Sequence, residues 1–186
     1  MDDLARLVGE RLRAARHDRG LSVGALAEAA HVGKGSLSEI ENGARNPTLS
    51  TLYALAGALG LPLATLIADR PGATLASPGI QARLLDASHD GEQTVEVYLL
   101  RIEPGIRHHS PAHGPGVTEH LLVTTGRARA GRLGEETEIG TGQAAHWVSD
   151  VAHTYAALGD TPVQSVLVIR SPTAGRPVLP VAPGST

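Results

Sequence analysis

Apolar residues fall into two rhythms along the chain. Leu4, Leu7, Val8, Leu12 and Ala15 recur at intervals of three and four, which places them on one side of a first helix. Arg6, Arg13 and Arg16 fall off that stripe, and Gly20 supplies a stop. The rhythm returns in Val23, Leu26, Ala27 and Ala30, breaks at His31-Val32-Gly33, and resumes in Leu37 and Ile40 before Glu41-Asn42-Gly43. Leu49, Leu52, Ala56 and Leu59 mark a fourth helix ended by Gly60, and Leu63, Leu66 and Ile67 a short fifth after Pro62. The pattern predicts an all-α domain of five helices over residues 1–68.

Farther on the period shortens to two. Candidate strands are Ile80–Leu85, Thr94–Ile102, Glu119–Thr125, Arg127–Gly131, Glu136–Ile139, Ala144–Val148, His153–Ala157 and Val163–Ile169, with turn residues between them. In the second of these, Val95, Val97 and Leu99 are expected inward and Glu96 outward. Short strands at this spacing predict an all-β sandwich or jelly-roll barrel over residues 79–170. Residues 69–78, which hold Pro71, Gly72 and Pro78, read as a linker. Residues 171–186, with Pro172, Pro177, Pro180 and Pro183, read as an irregular tail.

The second and third helices are short and meet at a tight turn, the arrangement that lets the second of a pair enter a DNA major groove. Ser22 is placed to cap one, Gly33 the other. His31 sits in the turn, where a left-handed backbone tolerates histidine better than most side chains. Lys34, Gly35, Ser36, Ser38 and Glu39 lie at the start and on the outer side of the third helix, from which base edges are reached, and Glu39 can accept from a cytosine amino group. Ser22 and Val23 open the preceding helix toward the same surface. Arg45, Asn46 and Thr48 follow in a loop suited to phosphate contacts.

Charge qualifies that reading. Residues 1–70 hold eight basic and eight acidic side chains, and residues 71–186 eight and eleven. A neutral DNA-reading half relies on local placement of Arg and Lys and on a homodimer to double its phosphate contacts. There is no Cys, which excludes disulfides and thiolate chemistry and fits a reducing cytoplasm. No apolar run approaches a membrane span, and the N-terminus lacks the continuous apolar core of a signal peptide. With no Phe, one Trp and three Tyr, both cores must be aliphatic.

Seven of the nine histidines lie beyond the linker: His89, His108, His109, His113, His120, His146 and His153. His108 and His109 read as loop residues, His120 as facing opposite to Glu119, and Trp147 as core. Tyr155, two residues after His153, shares its face and is expected to line the same pocket.

Residues 4–68 resemble the XRE/Cro-like helix-turn-helix regulators through Leu21-Ser22, Leu26-Ala27, Val32, Leu37-Ser38, Ile40 to Gly43, Arg45-Asn46-Pro47 and Leu52 to Gly60. Val23 departs from them, standing where that family usually has Gln. Residues 79–170 resemble the cupins. His113, Glu119 and Gly126 fall at the intervals of the first cupin motif, with Pro115 in place of its second His. Gly142 and His153 fall at the interval of the second motif, with Val148 and Ala157 in place of its Pro and Asn.

The paired resemblance implies a cytoplasmic homodimer that binds a double-stranded DNA operator, with no membrane association. In that picture a small-molecule effector enters a cupin pocket formed by His113, Glu119, His153 and Tyr155. His113, Glu119 and His153 would also be the ligands of a divalent transition metal, a two-imidazole, one-carboxylate set that suits Fe(II) and its neighbours. The expected protein is a regulator without catalytic residues. A metal-dependent oxidoreductase resembling the helix-turn-helix-containing iron epoxidases is the alternative.

Overall fold

The computed structural model describes residues 3–67, 71–89 and 91–172. Five helices come first: α1 (Asp3–Asp18), α2 (Val23–Ala29), α3 (Lys34–Glu41), α4 (Leu49–Leu59) and α5 (Leu63–Ile67). Ser22 caps α2 by accepting from Ala25 N, and Thr48 caps α4 by accepting from Thr51 N. His31 turns the chain between α2 and α3 at φ 53°, and Gly60 ends α4 at φ 61°.

Two features of α1 escape the periodicity. Arg16, expected off the apolar stripe, is buried: Nε and Nη2 donate to Glu41 Oε1 and Oε2 at 2.6 and 2.8 Å, and Nη1 donates to Leu21 O. The bidentate pair fixes α1 to the end of α3, and its geometry offsets the cost of burying two charges. A Cβ at Gly9 would lie 2.4 Å from Ile40 O, so glycine is what allows the two helices to approach there.

Ten strands follow: β1 (Thr74–Ser77), β2 (Ile80–His89), β3 (Gln93–Ile102), β4 (His108–Ser110), β5 (Thr118–Thr125), β6 (Arg127–Arg132), β7 (Thr137–Gly140), β8 (Ala144–Val148), β9 (His153–Ala157) and β10 (Val163–Pro172). They form a six-stranded sheet, β1-β2-β3-β10-β5-β8, and a four-stranded sheet, β4-β9-β6-β7, the two layers of the expected all-β jelly roll.

Several expectations change here. Thr74–Ser77 lie inside the expected linker but pair with β2 from Thr74↔Arg83 to Ser77↔Ile80. Ser171 and Pro172 belong to β10 and pair with Thr94 and Gln93; the rest of the tail, 173–186, lies outside the described residues. His108 and His109 form β4, paired with β9, and His108 is buried. β1 and β4 have four and three residues, too few to display a period.

The phase of β3 is the reverse of the expected one. Glu96, Tyr98, Leu100 and Ile102 are buried, whereas Val95, Val97 and Leu99 lie half-buried on the outer face of the six-stranded sheet. Alternation gives two faces, and the helical domain decides which one is covered. Glu96 Oε1 accepts from Ala64 N at 2.5 Å, at the start of α5, and from Tyr98 Oη at 3.0 Å. The buried apolar side chains, from Val8 in α1 to Ile169 in β10, form one cluster that runs through both halves.

Candidate metal centre and nucleic-acid interface

Three side chains distant in sequence meet inside the barrel. Glu119 points inward from β5, His153 opens β9 on the opposite sheet, and His113 lies in the loop after β4. That loop is pinned by His113 N donating to Ser149 O and Ser149 N donating to Val117 O. Exposure is 8% for His113 and 0% for Glu119 and His153.

Glu119 Oε1 lies 2.9 Å from His113 Nδ1 and 3.1 Å from His153 Nε2. All three atoms are buried, and they face one another with no further partner. Their outer atoms, in contrast, are engaged. His153 Nδ1 donates to Val151 O at 3.1 Å, which leaves Nε2 as the inward lone pair. His113 Nε2 lies 3.1 Å from Ser110 Oγ, and donation there leaves Nδ1 inward. Tyr155 Oη donates to Glu119 Oε2. Outer hydrogen bonds of this kind fix the tautomer and aim of metal ligands.

The donor set therefore fits a divalent transition metal. Neighbouring ligands about 2.1 Å from one octahedral ion stand about 3 Å apart, the separation seen from Glu119 to each imidazole, and the three atoms as a set lie within 4.8 Å of one another. Two imidazoles and one carboxylate suit Fe(II), Co(II) and related ions. Electrostatics agree. Burial alone would raise the Glu119 carboxyl, but His153 and His113 hold it well below the usual carboxylate range. Burial lowers His113, with Glu119 opposing. For His153 burial is outweighed by the Glu119 charge, which pushes the imidazole up.

Space beside the centre is small. The cavity lined by Tyr53, Gly57, Pro62, Glu96 and His113 has about 10 Å³ open to the centre of a water molecule, room for about one water. Trp147 packs edge-on to Tyr155, and its Nε1 is buried with no partner. Sequence reasoning missed Ser110 and Tyr53. Tyr53, in α4, stacks on the His113 ring with centroids 3.9 Å apart and planes 13° apart. Its one sequence signal is its place four residues after Leu49, beside the apolar stripe.

The predicted DNA-facing residues gather on the surface around α3. Ser22, Lys34, Gly35, Ser38, Glu39, Arg45, Asn46 and Thr48 are exposed, and Val23 and Ser36 are half-buried. Leu37 and Ile40 anchor the helix inward at 0% and 1% exposure. Arg45 Nη1 donates to Ser36 Oγ at 3.0 Å and to Glu39 Oε2 at 3.3 Å. That bond holds a cation over the outer face of α3. Among the described residues, no helix is long and apolar enough to cross a membrane.

Residues 7–68 match the family described as a helix-turn-helix domain. Over 176 residues the chain is 31% identical to the HTH-type transcriptional regulator SutR of Escherichia coli (strain K12), spanning 92% of this chain and 99% of that protein. Over 62 residues it is 42% identical to the immunity repressor protein of Bacillus phage phi105, spanning 33% of this chain and 43% of that one. The fold is shared with an HTH_3 family transcriptional regulator from Vibrio cholerae, at a TM-score of 0.78 and 23% identity over 90% of this chain and 96% of that one. With a regulator matched over nearly its whole length and a matched helix-turn-helix domain, the chain belongs to the HTH-type transcriptional regulators.

Proposed function

We propose that this regulator is a cytoplasmic homodimer whose α3 helices read a DNA operator and whose effector is a divalent transition-metal ion held by His113, Glu119 and His153. One observation carries the effector assignment: three buried potential ligand atoms from three separate segments converge within 4.8 Å of one another, while their outer atoms are hydrogen-bonded. The full-length relative is a transcriptional regulator, which supports this reading over that of an iron epoxidase.

Homodimer formation is supported by the outer face of the six-stranded sheet. Leu99, Val166 and Leu122 stand in one row across β3, β10 and β5, with Val97 and Val168 in the next. Arg83 and Asp86 on β2 and Arg170 on β10 edge this apolar centre with both signs of charge, so the face is complementary to a second copy of itself. Two reading heads on one two-fold axis then meet two half-sites.

The test begins with the metal content of untagged protein purified without chelator, beside His153→Ala. Stoichiometric transition metal in the wild type and none in the variant supports the site; metal-free wild type that takes up none on reconstitution overturns it. Selection from a random duplex library then supplies an operator. Titrations of DNA with and without the ion must show reciprocal effects; independence of the two overturns the effector role.

A further inference from the structure

The helical domain does not merely precede the barrel; one side of α4 rests on the loop that carries a ligand. Ser50, Tyr53 and Gly57 recur at three and four, a single helix face. Ser50 N and Oγ lie 3.0 and 3.1 Å from Ser77 Oγ of β1. The Tyr53 ring is stacked on His113. A Cβ on Gly57 would lie 3.0 Å from Ala112 O and 3.4 Å from His113 O, so glycine permits this contact. Farther along, α5 donates Ala64 N to the buried Glu96 of β3. The His113 ring thus lies between Tyr53 and Glu119.

We infer that Tyr53 and Gly57 make the DNA-reading domain the responding part of the metal centre, so that a divalent ion bound by His113, Glu119 and His153 fixes the placement of α4 on the barrel. The inference rests on the metal reading above. A ligating imidazole keeps its ion in the ring plane, so an ion on Nδ1 sets the rotation of His113. A stacked phenol follows that rotation, because the parallel contact is lost when one ring turns. Interfaces packed this closely respond by changing arrangement rather than by deforming smoothly. The cavity at this interface has room for about one water. Movement of α4 carries its N-cap Thr48 and the adjoining Arg45 and Asn46, which lie beside the recognition helix. A linkage then exists because the ion binds one placement of the domain better than another.

The experiment uses full-length protein and Co²⁺. Visible absorption reports occupancy of the centre, and hydrogen exchange of residues 49–67 reports the seating of α4 and α5. In the wild type, bound Co²⁺ is expected to slow that exchange at least about fivefold, the lower end of typical coupling. Tyr53→Leu is expected to keep the Co²⁺ absorption and lose the slowing, and Tyr53→Phe, which keeps the ring, to restore it. Gly57→Ala, which presses on Ala112 O, is expected to reduce the slowing without a change at Tyr53. Co²⁺ absorption in the wild type with unchanged exchange at 49–67 overturns the coupling and leaves the metal reading intact. Slowing in Tyr53→Leu equal to that in the wild type removes Tyr53 from it. Failure of the wild type to bind Co²⁺ overturns the metal reading and the coupling together.

Discussion

The two halves keep their chemistry in opposite places. In the helical domain the polar residues suited to DNA lie outside, on and around α3. Its one deep polar feature, Arg16 with Glu41, holds helices together. In the barrel the candidate chemistry lies inside, at His113, Glu119 and His153. The contrast fits the partner proposed for each half. A DNA duplex is larger than the domain and must be met on a convex surface. A metal ion must be surrounded by donors and shielded from bulk water. A buried polar group thus needs two separate explanations here: Arg16 joins two helices through Glu41, whereas the inward atoms of the triad face only one another.

Four substitutions test this contrast. His153→Ala should have the largest effect, removing one of three ligands. Co²⁺ affinity should fall by more than the ten- to hundredfold typical of outer partners, with the helix-turn-helix still folded by circular dichroism. Retained affinity would break the comparison on the barrel side. Next comes Glu41→Ala. It strands a buried guanidinium and should cost about 3 kcal/mol in urea unfolding; a cost below about 1 kcal/mol would mean that the pair is a surface ion pair in energetic terms.

Tyr155→Phe keeps the ring and removes the donor to Glu119 Oε2. Co²⁺ affinity should fall by about ten- to hundredfold, and an unchanged titration would show that the carboxylate needs no orienting bond. The smallest effect is expected from Arg45→Ala. It should weaken binding to all DNA sequences alike and lower the salt slope by about one; loss confined to one base position would make Arg45 a reader of sequence.

Legibility in the sequence differed between the halves for a physical reason. The DNA-facing surface is continuous in sequence, so caps, turn and outward positions could be read from spacing. Within the same domain Arg16 was misplaced, because an arginine reads as solvent-facing until its partner Glu41 is known. Glu96 failed for a related reason: a carboxylate on an alternating strand looks outward unless the start of α5 lies over it. The candidate ligands were named from the intervals of two motifs, but intervals say nothing of Ser110 or Tyr53, which come from other elements. The chain has three tyrosines; Tyr155 and Tyr98 donate to buried carboxylates, and Tyr53 stacks on the His113 imidazole. The sequence showed only that aromatic residues are scarce.

By itself the sequence determined the helical period of residues 1–68, the turn at His31, the β period beyond residue 79 and the spacing of His113, Glu119 and His153. These are local properties, written by backbone preferences and by apolar residues repeating every 3.6 or two positions. Tertiary structure decided which face of β3 is inner, which arginine is buried, and that the Ser50, Tyr53 and Gly57 side of α4 covers the His113 loop. Those outcomes depend on what each element packs against, and alternation or helical spacing offers two or more faces without choosing among them.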